Sequence, residues 1–432
     1  MKKSVLFIIV SLLLICFSNS AVSAQSWQEL YDSTYSNRCN YQKNAIKWGN
    51  RTLIQAEKEF GQQDTNYFKT MFLLSQIIIN INKDSTIELC KKAMKIIKES
   101  YDENHLYYIK FEIQLGLVAY YRCDYNKAEA DYKKSLKKLR KFHNYDSELL
   151  ADLLNNLAVL YNITGRYAEG EKLAKESLSM FNRLNKEDRP VLVLVLSTLA
   201  SIYEKSGNYL KAEKFNTKAL ELSRRLPMLY DGKRDYGYLA FSVNNMAGFY
   251  YNRGDYEKAE PLFIEGLELR RQLNKAPDPD LALGINNLAM FFAKTGQYDK
   301  AKPLFIEALE MNRNFYKRPH RELAIKINNL AMFYRFTHNY EKAEPLFEEA
   351  LEMVRKIYVG DNLNFVNSVE NMAEFYIEQK RYSEAEPLLI EALQVYKNMK
   401  DNYFPSLSEK EKQQYWNTMK GKFEGFNSFA LF

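Results

Sequence analysis

Apolar residues along most of this chain recur at helical spacing, and the pattern repeats. Ile285, Leu288, Ala289 and Phe292 fall at i, i+3, i+4 and i+7, one apolar stripe down a helix. After a short break, Ala301, Leu304, Phe305, Ala308 and Leu309 draw a second stripe. Residues 286–313 (NNLAMFFAKTGQYDKAKPLFIEALEMNR) return as residues 328–355 (NNLAMFYRFTHNYEKAEPLFEEALEMVR), with 19 of 28 positions identical at an offset of 42, too many for chance. A small residue carries the register through Ala158, Ala200, Ala247, Ala289, Ala331 and Ala373, in steps of 42, 47, 42, 42 and 42. The longer step absorbs extra residues near Arg225–Tyr236, where Pro227, Gly232 and Gly237 predict a longer loop. Stepping back gives weaker copies at Gly116 and Leu74, and a half-copy running from Ala45 to Thr52 and Leu53.

Each unit therefore predicts two helices and a tight turn. Gly165, Gly207, Gly254 and Gly296 stand where that turn needs a left-handed backbone; Cys123 and His338 replace the glycine in two copies. Alanines such as Ala289 and Ala301 allow the paired helices to approach closely, and the tyrosine after the turn (Tyr256, Tyr298, Tyr340, Tyr382) is placed to pack across the pair. Asp278-Pro279 supplies an N-cap and an N1 proline to one first helix, whereas Pro261, Pro303, Pro345 and Pro387 lie early in second helices. No single pair buries both of its apolar stripes, but stacked neighbours do. The expected fold is all-α, a solenoid of stacked helix-turn-helix repeats, with about eight pairs between residues 40 and 400.

Composition fits. Only 16 glycines and 10 prolines in 432 residues argue against a turn-rich β fold. The net charge of +7, two of it from Lys2 and Lys3, is too small and too dispersed to signal nucleic-acid binding. Those two lysines precede an apolar run from Val5 to Phe17 and the small-residue exit Ala21-Val22-Ser23-Ala24, which predicts a secretory signal over residues 1–24, cut after Ala24. An uncleaved anchor and a lipoprotein using Cys16 are the alternatives; the run is short for a membrane span, and Ile15 is bulky where a lipobox needs a small residue. No later stretch is long and apolar enough to span, so an exported chain, periplasmic or secreted, without an integral membrane segment after signal removal is expected. Removing Cys16 leaves Cys39, Cys90 and Cys123, read as buried inert thiols. His105, His143, His320 and His338 are scattered without metal-ligand spacing, and the acidic residues recur on polar helix faces. No cofactor and no catalytic constellation is expected.

The Asn-Leu-Ala-x-x-Tyr/Phe core, the Gly-x-Tyr turn and the Ala-Glu-Pro-Leu and Glu-Ala-Leu strings resemble the tetratricopeptide repeat (TPR), in the 42-residue form of kinesin light chains. The resemblance is strong over 150–398, weaker over 67–149 and faint before that. It implies a right-handed superhelix whose first helices line a concave peptide-binding groove, and a role in binding a protein or extended peptide rather than in catalysis. The expected organisation is a signal (1–24), divergent N-terminal helices (25–66), a TPR solenoid (67–400) and a C-terminal aromatic segment (401–432).

Helical geometry alone locates the face opposite the buried stripe. On one first helix it holds Asn287, Met290 and Lys294, flanked by Asn286. Equivalent positions are Asn155 and Asn156; Asn244 and Asn245; Asn328, Asn329, Met332 and Phe336; and Asn371, Glu374 and Glu378. This is an asparagine ladder. An amide offers both a donor and an acceptor, so such a row suits an extended peptide backbone; it equally suits bridges between adjacent first helices, and both readings stand. Met290, Met332 and Phe336 offer adaptable apolar contacts. Glu370, Glu374 and Glu378 predict an acidic end that favours basic guests.

Residues 401–432 leave the register. Ser408-x-x-Glu411 is a capping box, followed by Tyr415, Trp416, Met419, Phe423 and Phe426. One reading is a hydrophobic cap on the last repeat. The other is a junction: the segment resembles the linker joining such repeats to a caspase-like CHAT peptidase domain, which implies a substrate-presenting or regulatory arm of a peptidase system.

Overall fold

The computed structural model describes residues 26–36, 43–79, 82–142, 146–184, 190–226, 236–273, 278–358 and 363–403. The expected signal, the loop near 227–235, Cys39, His143 and the aromatic segment from 404 onward lie outside the described residues. Eighteen helices and no strand occur among the described residues. The chain divides into two compact units, residues 1–111 and 112–432.

In the first unit, α1 (Trp27–Ser36), α2 (Lys43–Phe60), α3 (Thr65–Ile78) and α4 (Lys83–Ser100) precede the opening turns of α5 (Leu106–Tyr121). The half-copy beginning at Ala45 is thus one helix of a complete pair. Ala45, Leu73 and Ile77 form its core, and Gly49 lets α2 press on α3: a Cβ there would stand 2.7 Å from Leu74 Cδ1. Trp27 is buried, and its indole N–H donates to Thr70 Oγ1 at 2.9 Å, so the ring is buried without orphaning its donor.

The second unit runs from the rest of α5 through pairs α5/α6 (Tyr125–Phe142), α7/α8 (Glu148–Ile163, Tyr167–Arg183), α9/α10 (Pro190–Lys205, Tyr209–Arg225), α11/α12 (Tyr236–Asn252, Tyr256–Leu273), α13/α14 (Pro279–Lys294, Tyr298–Phe315), α15/α16 (Arg321–Phe336, Tyr340–Ile357) and α17/α18 (Leu363–Glu378, Tyr382–Tyr403). Gly165, Gly207, Gly254 and Gly296 all adopt φ between 76° and 82° in the intervening turns. Cys123 and His338, with φ of 60° and 56°, hold the same left-handed turn, and so does Lys380 at 61°, where a side chain costs more than glycine. Asp278 caps α13 through Asp280 N at 2.7 Å, with Pro279 in the first turn. The repeated prolines sit sixth in helices α12, α14, α16 and α18, just past the first turn.

Packing is repetitive because the sequence is. The alanines Ala247, Ala259, Ala289, Ala301, Ala331 and Ala343 are all fully buried where helices touch. Each second-helix phenylalanine meets the next first helix: Phe263–Phe291, Phe305–Phe333 and Phe347–Phe375 have centroids 5.4–5.7 Å apart. The turn tyrosines reach the same rings, with Tyr256–Phe291, Tyr298–Phe333 and Tyr340–Phe375 each at 6.1 Å. These tyrosines therefore lock one pair onto the next. Outside the core, Arg140–Glu176, Arg313–Glu349 and Arg355–Glu391 join successive second helices; exposed pairs of this kind contribute little individually.

Candidate functional site

The concave face of the second unit contains a cavity of about 650 Å³. Successive first helices line most of it: α5 gives Leu117, Tyr120 and Tyr121; α7 gives Asn155, Asn156, Val159 and Asn162; α9 gives Ser197, Thr198, Ser201 and Glu204; α11 gives Phe241, Asn244, Asn245, Gly248 and Asn252; and the second helix α10 adds Asn216. The 42-residue spacing produces this convergence. Positions that follow the buried stripe by about half a helical turn project to the same side of every first helix, and stacking sets them side by side.

The ladder residues serve in two ways. In the C-terminal half they bridge first helices: Asn329 Nδ2 donates to Asn286 Oδ1 at 3.1 Å, and Asn371 Nδ2 to Asn328 Oδ1 at 3.0 Å. Asn286 is buried accordingly. Asn287 is half-buried, while Met290, Lys294 and Phe336 are exposed and Met332 is half-buried. Glu374 and Glu378 do not stand as a free acidic pair. Arg335, itself buried, donates to Glu374 at 2.9 Å and grips Glu378 through Nε and Nη2 at 2.8 and 2.6 Å. Hydrogen bonding from this guanidinium holds the Glu378 carboxyl below its usual range. One cation thus offsets one of the two charges. Glu370 accepts from the Tyr396 hydroxyl at 2.8 Å.

In the N-terminal half the arrangement differs. Asn162 Nδ2 donates to Ser201 Oγ and Asn252 Nδ2 to Glu204 Oε1, both at 2.9 Å across neighbouring first helices. Asn244 Nδ2 donates within its own helix to the Ala240 carbonyl at 2.9 Å. Asn156 and Asn245 are half-buried and make no hydrogen bond among the described residues, so they face the cavity uncommitted. Burial pushes the Tyr120 phenol up to about 12, so it lines the cavity as a neutral hydroxyl.

Sequence reasoning picked out Asn155, Asn156, Asn244 and Asn245 but not Asn162, Ser197, Glu204, Phe241 or Tyr121. Those positions vary from copy to copy, so periodicity gave them no mark; only the curvature of the stack brings them to one cavity. Among the described residues no group of three or more His, Cys, Asp or Glu could hold a metal ion, and no helix is long and apolar enough to cross a membrane.

The tetratricopeptide repeat profile matches residues 149–225, 238–314, 280–356 and 322–398, more than half of the chain. The chain belongs to the tetratricopeptide repeat family. No curated protein sequence matches it. Among solved structures, a Rap protein complexed with Competence and Sporulation Factor is 15% identical, with 87% of this chain and 99% of that one covered and a TM-score of 0.55. NprR in complex with its cognate peptide NprX is 14% identical, with 85% and 98% covered and a TM-score of 0.55. A kinesin light chain with nearly identical TPR-like repeats from Podosopora anserina is 17% identical, with 48% and 96% covered and a TM-score of 0.39. At these identities the Rap and NprR structures show a shared fold and nothing finer.

Proposed function

We propose that this TPR chain is an exported, non-catalytic scaffold that holds an extended peptide, or a peptide-like segment of a partner protein, against its inner face. The observation that carries the reading is the cavity of about 650 Å³, lined by first-helix amides of which Asn156 and Asn245 are uncommitted. A TPR fold of this kind is typically a non-catalytic scaffold, and the Rap and NprR structures, similar in fold, hold Competence and Sporulation Factor and the cognate peptide NprX. Export rests on the leader-like sequence of residues 1–24; cleavage after Ala24 and release of a reporter fused behind it tests that part.

The binding test compares the wild-type chain with the double variant Asn156→Ala/Asn245→Ala on columns loaded with envelope extract. Peptides or proteins retained by the first and lost by the second, with melting unchanged, support recognition. Identical retention by both overturns it. A second reading, the substrate-presenting arm of a CHAT-type peptidase system, is favoured by the aromatic segment from Tyr415 to Phe432; co-purification with such a peptidase tests it.

A further inference from the structure

The outer face of the second unit is divided by charge. Second helices form it, and the repeat register lets equivalent outward positions be compared. On α6 three of them hold Lys134, Lys137 and Lys141, and on α10 Lys218, Glu221 and Arg225. The same places hold Glu265, Glu268 and Gln272 on α12, and Glu307, Glu310 and Asn314 on α14. On α8, Glu176, Ser179 and Arg183 are mixed. In all, α6 carries seven basic and two acidic side chains and α10 five and two, against three and five on α16. Lys133, Lys137 and Lys141, at i, i+4 and i+8, repel one another along α6. With Leu136 and Arg140 they line an open recess of about 470 Å³.

The two halves also differ in how their charges are used. Arg224, Arg271, Arg313 and Arg355 pair with Glu265, Glu307, Glu349 and Glu391, so much of the acidic half is neutralised within the chain. In the basic half, Lys137, Lys141, Lys172, Lys214, Lys218 and Arg225 are all exposed and make no ion pair among the described residues. Of the carboxylates on α6, α8 and α10, only Glu213 and Glu221 are without an ion pair; the others already hold a cation. The missing counter-charge has to come from outside the chain, and the self-paired acidic half of a second copy is a poor source. Leu210 adds an apolar element. It lies one turn before Lys214 on the same stripe and is 85% exposed. Other copies carry Asn126, Ala168, Glu257, Asp299 and Glu341 at that place.

We propose that the outward face of α6, α8 and α10 docks on a bilayer surface rich in anionic phosphate headgroups. The ammonium groups sit among the phosphates, and Leu210 inserts beneath them. The unpaired cations are spread over three neighbouring helices, packed about 8–10 Å apart, rather than along one channel. That spread matches a sheet of anions better than a single anionic strand. The docking face lies on the far side of the repeats from the inner wall, so it leaves the cavity open to a guest and stands independently of the peptide-scaffold reading.

The test is co-sedimentation of the full chain with vesicles of phosphatidylcholine alone or of phosphatidylcholine mixed with phosphatidylglycerol. Any hold by the leader-like residues 1–24 is common to every variant. Partition onto the anionic vesicles should exceed the neutral ones by about tenfold or more and fall toward the neutral value in about 0.5 M salt. Lys137→Glu/Lys218→Glu installs the residues that α12 carries at the same positions, Glu268 and Glu265, so the fold should hold while partition drops about tenfold or more. Lys302→Glu/Lys342→Glu changes the net charge equally, but on α14 and α16, and should have little effect. Leu210→Ser should weaken partition about fivefold with melting unchanged. Equal partition onto both kinds of vesicle, or equal losses from the two double variants, overturns the proposal. If the chain binds soluble polyphosphate but neither vesicle, the partner is a free polyanion and the bilayer proposal fails.

Discussion

Gly248 gives the most direct physical test of the cavity. It lies inside α11, where glycine is a poor choice, and a Cβ built there meets nothing within 4 Å. Gly248→Ala therefore adds a methyl to open space and removes backbone freedom from the unfolded chain. The expected gain is roughly 0.5–1 kcal/mol. Contrast Gly116, where a Cβ would stand 2.7 Å from the Tyr132 ring, or Gly266, where it would stand 2.9 Å from Asn244 Nδ2; alanine there must displace a packed neighbour. In a stack held by nearest-neighbour interfaces the effect should be local, so hydrogen exchange of α11 and α12 reads it better than a global melt. Gly248→Trp uses the same space differently. Its indole projects into the cavity, so the fold should persist while guest binding is lost. If Gly248→Ala destabilises the chain by about 1 kcal/mol or more, the space is not open and the cavity argument is wrong. If Gly248→Trp binds guests like the wild type, they dock elsewhere.

Three other outcomes follow from buried ionisable groups. Burial, aided by Glu148, pushes the Asp152 carboxyl up to about 7, so between pH 4 and 7 the folded chain binds more protons than the unfolded one, and this residue's contribution falls as pH rises. Asp152→Asn should stabilise the chain by on the order of 2 kcal/mol at pH 8 and by much less at pH 5; equal urea-midpoint shifts at both pH values would contradict this. Lys326 is 2% exposed with Glu322 Oε2 at 3.3 Å, and burial holds its ammonium below the usual lysine range. Lys326→Met should be neutral or stabilising by about 1 kcal/mol at pH 7, with the advantage shrinking as pH rises toward 10; a large loss at pH 7 would show that the ion pair outweighs its desolvation. Burial also pushes the Cys90 thiol up to about 12, so iodoacetamide should leave it unmodified in the folded chain and label it in denaturant; rapid labelling under native conditions would refute its burial.

Much of the fold was legible because a solenoid writes its contacts locally. Ala289 and Ala331 mark helix contacts, Gly296 marks a left-handed turn, and Asp278-Pro279 marks a helix start, each readable from neighbours within a few residues. The equivalence of Lys380 to the turn glycines was harder to see, since lysine seldom adopts that backbone and the surrounding tertiary structure enforces it. The site was only half legible. Periodicity shows which face of a first helix points inward, and so it yields Asn155, Asn156, Asn244 and Asn245. It does not say which amides will bond to one another, because that depends on the offset between helices 42 residues apart.

That offset decides what each stretch of the inner face can do. Between α13 and α17 the carboxamides meet oxygen to nitrogen, at 3.1 and 3.0 Å, so each bridge uses a donor and an acceptor together and leaves little for a guest. Arg335 similarly consumes much of the acidic character of Glu374 and Glu378. Between α7 and α11 the register differs, because five extra residues separate α10 from α11 and the copies carry serine, threonine or glycine where later copies carry asparagine or methionine. Ser197 and Thr198 stand on α9 where later copies carry the paired asparagines, so no amide-to-amide bridge forms there, and Ser201 and Gly248 stand where later copies carry Met290 and Met332, so space remains above Gly248. The smaller side chains at these positions of α9 and α11 are therefore what leaves a cavity unfilled. Restoring the consensus by Ser201→Met and Gly248→Met should convert this stretch into the self-contained kind, closing the cavity while keeping the helices stacked.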